Sequence, residues 1–394
     1  MNQSRSSTEA SPSSRLEGGG SIDYPWWALT FWHGMGLKTW AGLLIEGQFR
    51  ISPSKLGVAA TATIFSCFNS LGRLITDRKY ARRMQRCQLP DDPIFIIGHW
   101  RSGTTFLHEL MILDPRYSTS NTYQCFAPGH FMTTQGFTRR SYSKWLLPSQ
   151  RPGDNVKAGW KQPQEDEFAL LNLGAPSPYR RIAFPHQHPS TPQALDISKL
   201  SSRERHRWQQ TLKQFVLRLR LKDKRRLILK SPTHTARIAE ILSIFPKAQF
   251  IHITRNPYVV FPSTRRIWQA LHQTQSLQKR LPANLDDYIF ACFQEMHEAF
   301  SRDRKLLGEC QLHELRYEDL VRDPVTALRD IYSKLGLGDF SAIEKAIQER
   351  LDEIKNYRTN SYALPDQLKT AIARRWQDFF VTYSYSMETG EPIG

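Results

Sequence analysis

The sequence predicts an α/β protein of three layers, α/β/α, around a central parallel sheet, with an N-terminal aromatic helical extension ahead of it. Three observations predict this. Ile94 to Ile97 form an uninterrupted apolar run, followed by a turn bounded by Gly98 and Gly103 and then by Phe106, Leu107, Leu110 and Met111 at helical spacing. Short apolar runs recur at 226–230, 248–254 and 311–315 with helical patterns between them, the rhythm of parallel strands joined by crossover helices. A length of 394 residues allows a large core, and one decorated α/β body fits it better than two separate domains.

Charge narrows the partners. Lys and Arg number 54 against 37 Asp and Glu, a net charge of +17, which implies anionic ligands or an acidic surface. Zinc-finger, RRM and basic-zipper signatures are lacking, so no nucleic acid is expected. The five cysteines are scattered, which suits reduced thiols in a cytoplasmic setting and gives no metal site.

In chain order, residues 1–21 are rich in Ser, Gly and charge and read as a disordered tail. Residues 22–90 read as the helical extension. Tyr24, Trp26, Trp27, Phe31, Trp32 and Trp40 crowd its start, 56–72 is free of charge, and Arg73, Arg78, Lys79, Arg82, Arg83 and Arg86 follow. Two readings fit: a cap packed on the body, or an interfacial segment giving peripheral membrane association. Residues 91–394 read as the catalytic domain.

The loop 98–105 has the glycine spacing of the nucleotide-binding G-x-x-x-x-G-K-[ST] turn, with Thr105 at the Ser/Thr position. Strand, turn and helix together aim backbone N–H groups at an anion, a P-loop-like arrangement. Thr104, however, stands in place of the lysine, and the cation has moved to Arg101. That change fits poorly with ATP or GTP hydrolysis. Gly98-His99-Trp100-Arg101-Ser102-Gly103-Thr104-Thr105 resembles the phosphosulfate loop of sulfotransferases that use 3′-phosphoadenosine 5′-phosphosulfate (PAPS), in the Arg-Ser-Gly-Thr-Thr form of tyrosylprotein sulfotransferases and a broad bacterial group. The resemblance implies that Arg101, Ser102, Gly103, Thr104 and Thr105 bind the co-substrate, without a metal, and that Arg101 is also catalytic, neutralising charge on the transferring sulfuryl group with Lys230.

Downstream residues extend it. Lys230 ends a predicted strand, where ligands of open parallel sheets sit; the resemblance puts such a lysine near the bridging oxygen of the phosphosulfate. Arg255, which ends the strand at 248–254, and Ser263 resemble the family's 3′-phosphate site. Tyr317, in Tyr317-Glu318-Asp319-Leu320, resembles a tyrosine near the adenine. The basic loop 355–362 is a further source of phosphate contacts. A transferase of this kind needs a base for the acceptor's proton. Tyrosylprotein sulfotransferases use a Glu soon after the loop helix, but residues 123–125 here carry no acid. Glu165 and Asp166, in Pro163-Gln164-Glu165-Asp166-Glu167, are the next candidates, and His99 follows. A purely structural role for these acids, complementing a helix N-terminus that begins near Pro163, is equally consistent.

The sequence therefore predicts a PAPS-dependent sulfotransferase acting on a hydroxyl or amine of a small-molecule or lipid-like acceptor. A P-loop kinase-like transferase and a non-catalytic nucleotide-binding protein at the membrane remain as alternatives. Local patterns also predict a strand or strand-like edge at 121–126, an insertion at 129–152 that lines or covers the site, and single helices at 201–221, 235–245, 285–307, 324–335 and 372–380.

Overall fold

The computed structural model describes residues 28–141, 159–188, 191–280, 282–353 and 363–393. The predicted tail at 1–21, the aromatic residues Tyr24, Trp26 and Trp27, part of the insertion at 129–152 and the basic loop 355–362 lie outside the described residues.

The chain enters through a 3-10 turn, Phe31–Gly34, and two helices, α1 (Leu37–Glu46) and α2 (Leu56–Arg86). The apolar run and the basic run of the extension are thus one helix of 31 residues. The sheet follows: β1 (Ile94–Ile97) leads through the loop into α3 (Thr104–Met111), and β2 (Tyr117–Ser118) is a short edge strand. Then come α4 (Thr122–Phe126), α5 (Phe131–Ser141), α6 (Asp166–Leu173), the single turn α7 (Arg180–Ala183) and the long α8 (Ser202–Lys222). Next are β3 (Arg226–Lys230), α9 (Ile238–Leu242), β4 (Gln249–Thr254), α10 (Pro257–Gln275), α11 (Leu285–Asp303) and β5 (Leu312–Arg316). The chain closes with α12 (Tyr317–Arg322), α13 (Pro324–Leu335), α14 (Ser341–Glu353), α15 (Asp366–Arg375) and α16 (Gln377–Thr382).

All strand pairings in this sheet are parallel, in the order β2-β3-β1-β4-β5. Strand alternation divides the core. Phe95, Ile97, Leu227, Leu229 and Phe250 face Trp208, Leu212, Phe215 and Leu219 of α8. Ile94, Ile96, Ile228, Ile251 and Ile253 face Leu107 and Leu110 of α3 and Leu328 and Ile331 of α13. Burial on both sides is why the central strands read as unbroken apolar runs, and each such side chain contributes about 1.5–3 kcal/mol on leaving water. A third cluster joins Trp32, Trp40 and Leu43 to Trp268, Tyr288, Phe293 and Trp376, so the described aromatic residues of the extension include core residues.

The structure corrects several local expectations. Residues 121–126 form a helix, because Asn121 and Gln124 exchange side-chain and backbone hydrogen bonds in a capping box; the strand lies just before it. The helix expected to begin near Pro163 starts at Asp166 with Glu165 at its N-cap, while Pro163 bridges to Asn121. The stretch 235–245 breaks into a 3-10 turn, Pro232–Ala236, and α9, because Arg237 leaves the helical conformation to reach Glu167 and the carbonyl of Leu195. The helix expected at 285–307 ends at Asp303 and continues as a 3-10 turn, and that at 372–380 is broken at Trp376.

Candidate active site

The loop after β1 is held by tight backbone packing. Gly98, with φ of 143°, lies so close to β4 that a Cβ would come within 2.4 Å of the Ile253 carbonyl oxygen; its N–H donates to Thr235 Oγ1 at 2.8 Å. Gly103 has φ of 103°, and a Cβ there would meet the Tyr317 ring at 2.2 Å. Both positions require glycine. Ser102 Oγ closes the turn by donating to the His99 carbonyl at 2.8 Å. Thr104 and Thr105 open α3, whose first-turn N–H groups have no upstream helical acceptor, the arrangement that suits an anion.

Arg101 links this loop to the next strand end. Its backbone is left-handed, φ of 70°, a strain of about 1–3 kcal/mol that clusters at functional sites. Its Nε donates to Ser263 Oγ at 2.9 Å, and Arg255 Nη1 donates to the Arg101 carbonyl at 3.0 Å. The Arg255 guanidinium lies 4.0 Å from the centroid of the Tyr317 ring. Arg101, Ser102, Gly103, Thr104, Thr105, Arg255, Ser263 and Tyr317 therefore form one contiguous surface at the carboxyl ends of β1, β4 and β5. The side chain of Arg101 reaches Ser263.

At the end of β3, Lys230 Nζ donates to Glu165 Oε1 at 2.9 Å and lies 3.4 Å from Thr105 Oγ1. The Lys230 side chain is 2% exposed and that of Glu165 15%, so solvent screens this pair weakly. Tyr179 Oη donates to Glu165 Oε2 at 2.8 Å, and Trp100 Nε1 donates to Tyr179 Oη at 2.8 Å. Burial, with the Glu165 carboxylate beside it, holds the Tyr179 phenol well above its ordinary pKa, so it stays a donor. Both Glu165 oxygens are thus fixed, one by a cation and one by a phenol.

The neighbouring acids are placed differently. Asp166 Oδ2 lies 2.6 Å from His234 Nε2, and Arg237 Nη1 donates to Glu167 Oε2 at 2.6 Å, with all four side chains fully buried. Thr233 Oγ1 also donates to Glu167 at 3.0 Å. These contacts tie the start of α6 to the segment after β3, which sets Glu165 against Lys230. His99 lines a cavity of about 20 Å³, room for about one water, with His252, Phe293, Met296 and His297. Burial lowers its pKa to about 4, its Nδ1 meets the Trp100 carbonyl at 2.9 Å, and its Nε2 is buried without a partner among the described residues.

Beside Tyr179 runs a chain of rings. Phe168 stacks on Tyr179 with centroids 5.2 Å apart, Phe31 lies 4.5 Å from Phe168 and 6.4 Å from Phe126, and Phe126 lies 6.3 Å from Trp160. Phe31, Phe126, Trp160 and Phe168 are only part-buried. The site thus has a loop side with Arg101 and Arg255, a Glu–Lys pair in the middle and a part-open aromatic side. Sequence reasoning missed Trp100, Tyr179 and Thr235. Tyr179 sits in a proline- and histidine-rich stretch with no periodicity, and no local signal marks it.

A parallel sheet with a glycine-bounded loop at its switch point, a strand-end lysine and an adjacent carboxylate is an arrangement suited to group transfer. The chain matches the model of the Sulfotransferase family over residues 93–341. It is 38% identical over 366 residues to omega-hydroxy-beta-dihydromenaquinone-9 sulfotransferase Stf3 of Mycobacterium bovis, with 93% of this chain and 94% of that protein covered; the Mycobacterium tuberculosis protein of the same name matches equally. The chain belongs to the sulfotransferase family. Its fold is similar to that of sulfotransferase STF1 from Mycobacterium tuberculosis H37Rv, with TM-score 0.62, 17% identity and coverage of 87% of this chain and 92% of that one. STF9 from Mycobacterium avium gives TM-score 0.65, 16% identity and coverage of 89% and 93%.

Proposed function

We propose that this sulfotransferase transfers the sulfuryl group of PAPS to a hydroxyl of an apolar, lipid-like acceptor, with Glu165 as the base. The Glu165–Lys230 pair beside Thr105 carries the reading. It is a part-buried, hydrogen-bonded carboxylate one contact away from the loop.

The residues present fit a nucleotide with anionic groups at two positions. Arg255 and Ser263 hold the 3′-phosphate; Ser102, Gly103, Thr104, Thr105 and the first turn of α3 hold the 5′ side; Tyr317, with Arg255 on its ring, lies on the adenine side. Arg101, hydrogen-bonded to Ser263, spans the two groups of donors. When bound, PAPS supplies an activated, singly charged sulfuryl group, a transfer in which no metal takes part in this reading. Glu165 takes the proton from the acceptor hydroxyl. As it does so its hold on the Lys230 ammonium weakens, which frees that cation to stabilise the charge on the leaving group beside Thr105. As the acceptor oxygen bonds to sulfur, the bridging S–O bond would break and its electron pair would leave on the 5′-phosphate of 3′-phosphoadenosine 5′-phosphate. Tyr179 keeps the Glu165 carboxylate turned toward Lys230.

Asp166, engaged with His234 at full burial, and His99, with its Nδ1 on a backbone carbonyl, are weaker candidates for the base in this geometry. The part-open rings of Phe31, Phe126, Trp160 and Phe168 support an apolar acceptor. So does the similarity to a sulfotransferase named for a hydroxylated dihydromenaquinone. Such an acceptor suits peripheral association with a membrane, in keeping with a cytoplasmic enzyme. A kinase-like reaction is disfavoured by Thr104 at the lysine position of the loop. Incubation of the protein with PAPS and a lipid extract, followed by negative-ion mass spectrometry, tests the reading. Sulfated lipid products support it; transfer from ATP, or no transfer to any hydroxylated lipid, overturns it.

A further inference from the structure

The long helix α2 has two unlike faces. Its inner face is fastened to the body: Asn69 Nδ2 donates to the carbonyls of His33 and Met35 at 2.8 and 2.9 Å, Thr76 and Thr133 hydroxyls meet at 2.8 Å, and Arg218 Nη2 donates to Asp77 at 2.8 Å. Its outer face carries Ile64, Phe68, Leu71 and Ile75, spaced by four, three and four residues and each more than half exposed. The same stripe continues into Arg78, Arg82 and Arg86, with Lys79 beside it, all exposed. Asp77, the single acid of the helix, contacts Arg73 and Arg218. Among the described residues, Pro53–Arg86 is long and apolar enough to cross a membrane by length and composition, but the polar anchors of its inner face hold it along the protein surface.

We propose that the outer face of α2 docks in the plane of an anionic lipid bilayer. Ile64, Phe68, Leu71 and Ile75 enter the acyl boundary, and Arg78, Lys79, Arg82 and Arg86 meet the phosphate headgroups. Charge chooses this occupant: the stripe ends in Arg78, Arg82 and Arg86 with Lys79 beside it, and the one acid of the helix, Asp77, is engaged by Arg73 and Arg218, so the net charge of this end complements an anionic surface. The face also joins the acceptor side of the site. Asn69 and Thr61 bind the 3-10 turn that carries Phe31, through the carbonyls of His33 and Met35 and the His33 ring. This deepens the lipid-acceptor reading and rests on it only for its purpose, not for the docking itself.

The exposed Cys67 lies next to Phe68 and reports on the face. The full chain with Cys87→Ser and Cys310→Ser, labelled at Cys67 with an environment-sensitive fluorophore, is titrated with phosphatidylglycerol-containing and with pure phosphatidylcholine vesicles. The proposal expects a blue shift and at least about tenfold tighter binding to the anionic vesicles. It expects Arg78→Glu with Arg82→Glu to abolish that preference and Phe68→Ser with Leu71→Ser to weaken binding about tenfold or more. Unchanged thermal melting of each variant establishes that it folds. The proposal is overturned by no shift with either vesicle, by variants that bind as the parent does, or by a shift that grows with protein concentration in the absence of lipid, which would mean a second copy covers the face. Titration of 3′-phosphoadenosine 5′-phosphate runs in parallel. Its failure in the unaltered protein would sink the nucleotide reading and leave the docking result standing.

Discussion

Glu165, Asp166 and Glu167 share one chemistry and meet three environments. Only Glu165 faces Lys230 and Tyr179; the other two carboxylates are buried against His234 and Arg237. Glu165→Gln is expected to lower kcat by about 10²–10⁴-fold, the range for loss of a positioned base, with the affinity for 3′-phosphoadenosine 5′-phosphate unchanged. Asp166→Asn is expected instead to lower the melting temperature, because it weakens a buried contact to His234 worth about 1–3 kcal/mol. Steady-state kinetics and thermal melting on both variants separate the roles; a Glu165→Gln enzyme with full turnover would move the base elsewhere. Tyr179→Phe removes two hydrogen bonds, the one donated to Glu165 and the one accepted from Trp100 Nε1, and kcat is expected to fall by about tenfold in a normally folded protein. The acid cluster was legible in the sequence as a candidate. Its division of labour was not, because it is decided by His234 and Arg237, which lie 68 and 70 residues further along the chain.

At the scale of elements, the loop between β1 and α3 carries the most specific constraint. Gly103→Ala combines a left-handed backbone with a side chain driven into Tyr317. It is expected to cost about 1–2 kcal/mol from the backbone alone and to displace the ring on which Arg255 rests, so calorimetry should find nucleotide binding weakened or lost. Normal binding by that variant would show that the loop tolerates a different path. The central strands were readable because burial on both faces leaves unbroken apolar runs. The helix at 122–126 was not, because its signal is a single Asn–Gln capping pair over five residues. The break at Arg237 was hidden as well, since a tertiary ion pair with Glu167 overrides local helical spacing.

Over the whole molecule, charge and burial set the conditions for stability. Burial lowers the pKa of His33, His99 and His130 to about 4 from an ordinary 6.5. Since the unfolded chain binds protons that the native state refuses, the stabilisation is complete above about pH 6.5 and is lost as pH falls toward 4. The slope is about 1.4 kcal/mol per pH unit for each fully buried histidine. Urea midpoints measured between pH 7 and 4.5 should fall steadily; a flat series would contradict the neutral assignment. The extension was legible as either a cap or an interfacial helix. The structure shows α2 as a cap on its inner face and leaves the outer face, with its cations, open. The central claim is that the loop at 101–105 and the Arg255–Ser263 pair, which meet through Arg101 at the same sheet edge, bind the 5′ and 3′ anionic groups of one nucleotide. Calorimetric titration with 3′-phosphoadenosine 5′-phosphate and with adenosine 5′-phosphate tests it most directly. The account predicts binding of the first at least about tenfold tighter than the second, with that margin removed by Arg255→Ala. Equal affinity for the two nucleotides, or a margin that survives Arg255→Ala, would contradict it.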